Sequence, residues 1–168
     1  NLFFAVILSM LICSIVGVAN GLLVSRTKID PFIVTLGTQT AVRGIVYIVC
    51  NNSAVTSLPE SFKYLSSGKV LGISVSIWIL ILVFVMMALI LGKTSYGRKI
   101  YAIGGSYTAA YISGINVKKI RFSTYIISAA LSCIAGILST ARVGSATPNA
   151  ASGYATIAIS ACAIGGVA

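Results

Sequence analysis

The chain has 168 residues, of which 58% are hydrophobic and only 8% charged, and its mean hydropathy is +1.03. A water-soluble domain of this length needs more charge to cover its surface, so the composition predicts an integral membrane protein. The net charge of +10 would favour a nucleic-acid partner in a soluble protein. Here the basic residues lie between apolar runs without a basic and aromatic stripe, which excludes that class.

Four apolar runs, in chain order, are long enough to cross a bilayer as helices. The first is uncharged over residues 2–25, and at about 1.5 Å per residue it reaches roughly 35 Å, against a hydrocarbon core of about 30 Å. The predicted fold class is therefore all-α, a polytopic transmembrane helical bundle in a single domain over residues 1–168. The predicted spans are A at Leu2–Val24, B at Pro31–Cys50, C at Ile73–Gly92 and D at Ser123–Ala141.

Both ends of the chain carry apolar sequence. Residue 1 is Asn and span A begins at once, without the basic start and cleavage site of a secretory signal. After Pro148, the apolar part of the tail has only 14 residues from Ala155 on, which is short for a span. We expect the tail to be a re-entrant segment or the first turns of a further span. The ends together predict a fragment with about four spans and one partial or re-entrant segment.

The basic residues are distributed unequally between the loops. Positive charge marks the cytoplasmic side of a membrane protein, so we expect residues 93–122 in the cytoplasm and residues 51–72 outside. In the outer loop, Glu60 and Lys63 are candidates for contact with another protein, although a solvated loop is the simpler interpretation. The A–B and C–D loops hold eight of the twelve Lys and Arg residues: Arg26, Lys28, Lys93, Arg98, Lys99, Lys118, Lys119 and Arg121.

The stretch Gly104–Phe122, between spans C and D, carries a short helix signal of its own. Gly104 and Gly105 are expected to interrupt the secondary structure that precedes this helix. Ser106 is a fitting N-cap, and Gly114 suits the left-handed position after a helix. A helix of about two turns is not stable alone in water, so it docks either on a partner protein or on lipid headgroups. The residues by themselves do not favour a partner protein over lipid headgroups, or the reverse. The side chains available for docking are Tyr107, Ala109, Ala110, Tyr111 and Ile112.

Arg43 is the only charged residue inside a predicted span, about 18 Å along span B from Pro31. A membrane-embedded Arg is a candidate for a solute pathway or a bundle interior. The alternatives are that its long side chain reaches the outer headgroups, or that it is a peculiarity of this sequence.

Spans A and D carry small residues at helical spacing. Gly17 and Gly21 have the G-x-x-x-G spacing that permits close helix contact, and we expect Asn20 to form a hydrogen bond within the bundle. In span D one face carries a stripe of four small residues, for which we favour helix packing over a solute-lined pathway, although the two are compatible. Trp78 and Tyr96, at the two ends of span C, are predicted to be interfacial anchors. The stripe consists of Ser128, Ser132, Gly136 and Thr140.

Catalytic and metal-binding patterns are absent from the sequence. It contains no His, no paired carboxylates and no phosphate-binding loop of the G-x-x-x-x-G-K-[ST] type. The cysteines lie singly, which excludes a zinc cluster and a disulfide framework. We expect no cofactor, no metal and no enzymatic activity, and any ATP hydrolysis that powers this chain must occur on another one. The cysteines are Cys13, Cys50, Cys133 and Cys162.

Five motifs in a fixed order carry a resemblance to a known family. Over about residues 17–166 the chain resembles the membrane-spanning permease subunit of ribose-type ABC sugar importers. The motifs are NGLLVSRTKIDPFIVTLGT, LPESF, YGRKIYAIGGS, AAYISGINV and ARVGSATPNAASGYA, with IGG at the end. The resemblance implies that residues 104–115 are the cytoplasmic coupling segment that seats in a groove of a separate ATPase subunit. The implied coupling residues are Gly104, Gly105, Ser106, Ala109, Ala110, Ser113, Gly114 and Ile115.

The chain also departs from the family pattern. Thr108 stands where the importer signature has an acid, and Ser106 and Tyr107 stand where ribose-type proteins have Asn and Glu. In the outer segment, residues 155–157 replace a region that commonly holds a Glu and an Asp. The remaining AAYISG still resembles the alanine pair and glycine of the signature, which favours docking on the ATPase over docking on lipid.

The resemblance implies a bacterial cytoplasmic-membrane importer of a monosaccharide or a similar small polar solute, working by alternating access. The implied partners are an ABC ATPase subunit, an extracytoplasmic solute-binding protein, a second permease copy and membrane lipid. The alternative functions are an ion-coupled secondary carrier or channel, which would need an acid within a span, and a receptor-like protein, which leaves the capped helix unexplained. Candidate solute-pathway residues are Arg43, Ser128, Ser132 and Thr140.

Overall fold

The computed structural model describes residues 2–27, 29–56, 58–70 and 72–166, without the side chains of residues 2, 61, 63 and 67. Lys28 in the predicted cytoplasmic loop and the Lys63 side chain in the predicted outer loop therefore lie outside the described part. Two short strands, β1 (Lys69–Val70) and β2 (Ile73–Ser74), pair antiparallel. The helices are α1 (Leu2–Arg26), α2 (Pro31–Val49), α3 (Glu60–Ser67), α4 (Val75–Lys93), α5 (Ser95–Gly105), α6 (Tyr107–Ile112), α7 (Val117–Val143) and α8 (Tyr154–Ile164).

Four of these helices, α1, α2, α4 and α7, are long and apolar enough to cross a membrane. They coincide with predicted spans A to D, so the all-α, four-span prediction is confirmed. Helix α2 begins where its sequence requires, because the Asp30 carboxylate accepts a hydrogen bond of 2.8 Å from the Phe32 N–H and Pro31 occupies the first helical position. Helix α4 has no buried residue and is apolar all round, so it faces lipid or another polypeptide.

Span D was predicted too short. Helix α7 begins at Val117, six residues before the predicted start at Ser123, because the Asn116 side chain caps it by accepting from the Lys119 N–H at 3.1 Å. The basic residues around Lys119 therefore form the first turns of a long helix and not part of a loop. Its other end is at Gly144, whose φ of 73° is left-handed.

The two loops contain secondary structure that the sequence did not predict. The segment between α2 and α4 contains α3 and the β1–β2 hairpin, so α4 begins at Val75 and not at Ile73. The loop is tied to the segment after α7, because Val55 and Ala146 exchange two backbone hydrogen bonds of 2.9 Å. The segment between α4 and α7 is helical over most of its length, as α5 and α6.

The main interhelical contact joins α1 and α7, which run antiparallel. Ser9, Gly17 and Gly21 of α1 meet Cys133, Ala129 and Phe122 of α7 in reverse order. A Cβ at Gly17 would lie 2.6 Å from the Ala129 Cβ, and one at Gly21 would lie 2.9 Å from the Phe122 ring. The predicted G-x-x-x-G contact is therefore confirmed, and only glycine allows the two backbones to approach so closely.

Candidate functional site

Helix α6 is capped by hydrogen bonds at both ends. At its start the Ser106 hydroxyl accepts from the Ala109 N–H at 3.2 Å, as predicted. At its end Gly114 has a φ of 77°, and the N–H groups of Gly114 and Ile115 donate to the carbonyls of Tyr111 and Ala110 at 3.0 and 3.1 Å. These two bonds form a Schellman motif, which satisfies the last carbonyls of the helix. The predicted capped helix is confirmed.

The two alanines of α6 face opposite sides. Ala110 is only 3% exposed, whereas Ala109 is exposed. Ala110 packs within the chain, so the prediction that it is available for docking is wrong. The free face of α6 carries large side chains instead: Tyr107, Tyr111 and Ile112 are 52%, 68% and 78% exposed. Of the other predicted coupling residues, Gly104, Gly105, Ser113 and Gly114 are exposed and Ile115 is half-buried.

Helix α5 connects this segment to the spans. Gly97 is buried at the α4–α5 turn, where a Cβ would overlap the Leu91 carbonyl. One residue earlier, the Tyr96 hydroxyl lies 2.7 Å from the Ser123 hydroxyl of α7. Ser123 already donates to the Ile120 carbonyl, so Tyr96 is the donor. Tyr96, predicted as an interfacial anchor, thus joins α5 to α7, and through it α6 is linked to a transmembrane helix.

Arg43 lines a cavity of about 360 Å³ between α1 and α2. Its guanidinium Nη1 lies 3.4 Å from the Ser152 hydroxyl, in the segment that returns from α7 towards α8. Pro148, from the same segment, also lines the cavity. We call this cavity the polar pocket. Its polar wall consists of Asn20, Thr35, Thr38, Gln39 and Arg43.

Asn20 does not find the partner expected for it. Its side-chain oxygen is fully buried, and within the part of the chain that the structure describes it accepts no hydrogen bond. The prediction of a bond within the bundle is wrong for this atom.

Thr35, Thr38 and Gln39 were not predicted as site residues, although their spacing along α2 is visible in the sequence. Together with Val42, Arg43 and Val46 they recur at helical spacing, which places a polar face of α2 towards α1.

The other three pathway candidates do not lie with Arg43. Ser132 and Thr140 line a groove of about 700 Å³ between α1, α3 and α7, and Ser128 lines two smaller cavities beside α5. A Cβ at Gly136, in the same stripe, would meet no atom within 4 Å. Within the described residues this stripe makes no close helix contact, because the neighbouring face of α7 packs on α1.

Cysteine and acidic side chains do not form a metal centre in the described residues, which contain no group of three or more His, Cys, Asp or Glu. Cys13 and Cys133 both line the groove between α1, α3 and α7. All four cysteines are free thiols.

Comparison with known proteins places these features in a family. A family model described as "Branched-chain amino acid transport system / permease component" matches residues 1–168. The chain is 38% identical over 169 residues to the ribose import permease protein of Haemophilus influenzae, covering 98% of this chain and 52% of that relative. It is 40% identical over 149 residues to the ribose import permease protein of Bacillus subtilis, covering 88% of this chain and 46% of the relative.

A third relative is the L-arabinose transport system permease protein of Escherichia coli, 37% identical over 148 residues, with 88% of this chain and 45% of the relative covered. The chain thus spans about half the length of the curated relatives it matches. No solved structure matches it. The resemblance to permease subunits is confirmed. With four apolar helices and a family match over its whole length, the chain is a multi-pass membrane protein that belongs to the family of permease components of branched-chain amino acid transport systems.

Proposed function

We propose that this chain is part of the permease subunit of a bacterial ABC importer, which carries a monosaccharide or similar small polar solute across the cytoplasmic membrane. Family membership and relatives named for ribose and L-arabinose support the transport role and the solute class. The observation that carries the coupling role is α6. It is a short helix with both ends capped, and its exposed face is aromatic and aliphatic.

The proposed topology places residues 93–122 in the cytoplasm and residues 51–72 outside. The antiparallel contact of α1 and α7 supports it, because it puts Arg26 at the same end of the bundle as the basic first turns of α7. Basic residues at a helix N-terminus oppose the helix dipole, so they need a compensating environment such as anionic lipid headgroups. Such an environment fits the cytoplasmic leaflet.

In this function, a separate ATPase subunit hydrolyses ATP and moves α6, and the permease contributes no catalytic residue. The Tyr96–Ser123 hydrogen bond between α5 and α7 passes the displacement to a span. An extracytoplasmic solute-binding protein delivers the solute to the outer face, and two permease copies line the path. The exposed apolar surfaces of α2, α4 and α8 support contacts with another copy or with lipid.

Two tyrosines of similar exposure test the coupling role. Tyr111 on α6 is 68% exposed and Tyr101 on α5 is 66% exposed. We expect Tyr111→Ala in the full-length protein to weaken co-purification with a tagged ATPase subunit by at least about tenfold, because aromatic side chains dominate protein interfaces. Tyr101→Ala is the matched control and retains the association.

Two outcomes contradict the proposal. If Tyr111→Ala and Tyr101→Ala bind the ATPase subunit equally to the unmodified protein, α6 is not the docking helix. If the purified protein takes up solute in liposomes without any ATPase and in response to an ion gradient, it is a secondary carrier.

A further inference from the structure

A groove runs along α7 on the side that faces α4 and α5. It consists of two cavities, of about 340 and 440 Å³, which share Ile100, Thr124 and Ser128 and therefore adjoin. We call it the α5–α7 groove. From Arg121 to Ala135 it extends about 21 Å along α7, whereas one leaflet supplies about half of a hydrocarbon core of ~30 Å. The groove is therefore long enough to hold an acyl chain from headgroup level to the middle of the bilayer.

The walls of the α5–α7 groove are largely apolar. The Thr124 hydroxyl donates to the Ile120 carbonyl of its own helix at 2.9 Å, so it adds little polarity to the wall. Thr124 and Ser128 are exposed, which shows that the groove opens to the surroundings of the bundle. In a membrane these surroundings are lipid, and an apolar lining suits a hydrocarbon chain better than a polar solute. The wall opposite α7 includes Met87, Leu91, Ile100 and Ile103.

Arg121 lies at the end of the groove nearest to the start of α7. It is half-buried, and it is the only charged residue among the described residues that line the groove. The chain has no acid after Glu60, so α4, α5 and α7 cannot neutralise it. Asp30 caps α2 and lines neither cavity, and Glu60 begins α3, which lies beside Thr140 near the other end of α7. A partly desolvated guanidinium requires an anionic partner, so charge complementarity predicts an anion at this end.

Lys118 narrows the class of that anion. It is exposed and lies one turn before Arg121 on the same side of α7. A zwitterionic phospholipid would bring its own cationic group against Lys118, whereas an anionic phospholipid brings only negative charge. The two basic side chains and the apolar groove together match a molecule with an anionic head and a hydrocarbon tail.

We propose that the α5–α7 groove binds an anionic phospholipid. The phosphate accepts hydrogen bonds from the Arg121 guanidinium, and one acyl chain lies along α7 towards Ala135. Gly104, in the last turn of α5, lines the groove together with Arg121, so the bound lipid contacts the segment that leads into α6. That the lipid belongs to the cytoplasmic leaflet rests on the proposed topology, whereas the site itself rests on the groove and its charge.

Competition between two lipids tests the choice of headgroup. The full-length protein is purified in detergent, without ATPase, and incubated with equal amounts of phosphatidylglycerol and phosphatidylcholine that carry the same acyl chains. The lipids that the protein retains are counted by native mass spectrometry. We expect phosphatidylglycerol in about fivefold excess, because its negative charge is attracted by Lys118 as well as by Arg121. Equal retention of the two lipids would overturn the proposal.

Arg121→Gln and Lys119→Gln form a matched pair of charge variants. Each removes one positive charge from the first turns of α7, but Lys119 is exposed and lines neither cavity. We expect Arg121→Gln to lower the retained phosphatidylglycerol about tenfold, because it removes charge-assisted hydrogen bonds to the phosphate. Lys119→Gln should lower it at most about twofold, since salt screens a charge that does not touch the lipid. Equal losses would show a diffuse surface attraction and no site.

Ser128→Phe and Ala88→Phe test where the acyl chain lies. Ser128 is exposed and lines both cavities, whereas Ala88 is exposed on α4 and lines neither. A phenyl ring at residue 128 occupies the space of the chain, so we expect about tenfold less retained phosphatidylglycerol, with no change in Ala88→Phe. Ala135→Phe, at the far end of the groove, provides the same test if Ser128→Phe does not fold. Full retention by a folded, filled variant would place the lipid elsewhere and overturn the proposal.

The result does not depend on the proposed transport function, because neither ATPase nor solute is present. If another part of the full-length protein fills the groove, Arg121→Gln and Ser128→Phe retain lipid like the unmodified protein, and the proposal fails. Loss of the lipid preference in Arg121→Gln together with normal ATPase binding by Tyr111→Ala supports the lipid site and removes α6 as the docking helix. The reverse pair of results removes the lipid site alone.

Discussion

The two sides of α1 are built differently. Towards α7, Gly17 and Gly21 bring the helices so close that a methyl group at either position would overlap its neighbour. Towards α2, Val16 and Asn20, one residue earlier in each case, line an open groove. A close-packed contact transmits displacement, whereas a contact across a cavity leaves room for a ligand. The comparison shows that α1 packs tightly against α7 and only loosely against α2.

The close-packed side extends to the end of the molecule that carries α5 and α6. Tyr96 joins α5 to α7 at 2.7 Å, and α6 is held by Ser106 and Gly114 at its ends. Every step from α6 to α1 is thus a hydrogen bond or a tight contact. The following predictions break that series at three points, in order of decreasing expected effect.

The largest effect is expected at Gly114. Its φ of 77° is accessible to glycine and tolerated by Asn, but a β-branched side chain is strained there. We expect Gly114→Val to cost about 3 kcal/mol, which corresponds to about a hundredfold weaker association with the ATPase subunit in a pull-down titration. Gly114→Asn should retain the association, and equal loss in both variants would show that the backbone conformation is not the reason.

An intermediate effect is expected where α1 meets α7. The added methyl group of Gly17→Ala would lie 2.6 Å from the Ala129 Cβ, so the helices must separate. We expect a destabilisation of about 2 kcal/mol, measured as a lower midpoint of thermal unfolding of the full-length protein in detergent. The control is Gly37→Ala on α2, where a Cβ meets no atom within 4 Å. Identical midpoints would mean that α1 and α7 are not in close contact.

The smallest effect is expected from Tyr96→Phe. It removes the hydroxyl that donates to Ser123 and leaves the ring in place, for a cost of about 1 kcal/mol. We expect fewer solute molecules imported per ATP hydrolysed, because α5 is less firmly joined to α7. Tyr101→Phe, on the exposed side of α5, is the control for loss of a hydroxyl. An unchanged import ratio in Tyr96→Phe would remove this bond from the coupling path.

The best sequence predictions rest on local chemistry. The cap at Ser106, the left-handed Gly114 and the spacing of Gly17 and Gly21 each depend on residues within one or two turns, and each is found in the structure. The start of α7 was missed because hydropathy excludes the charged residues before Ser123. Backbone hydrogen bonding does not exclude them once Asn116 caps the helix.

The missed features depend on contacts between distant residues. Ala109 and Ala110 are neighbouring residues of the same type. Ala109 is exposed, whereas Ala110 is only 3% exposed because the rest of the chain packs against it. Arg43 meets Ser152 across 109 positions of the chain, and no local pattern predicts that pair. The spacing of the polar residues along α2 could be recognised in the sequence, but the sequence did not show that α1 is the helix facing them.

The sequence by itself determined that this chain crosses a membrane several times, where its spans run and where the short helix α6 begins and ends. These properties follow from hydrophobic run length and from capping groups, which act over a few residues. Only the tertiary structure decided which face of each helix is closed and which is open. That choice depends on which helices meet. Within the described residues it left the Asn20 oxygen without a hydrogen-bond partner, while the neighbouring Gly21 is in close contact with α7.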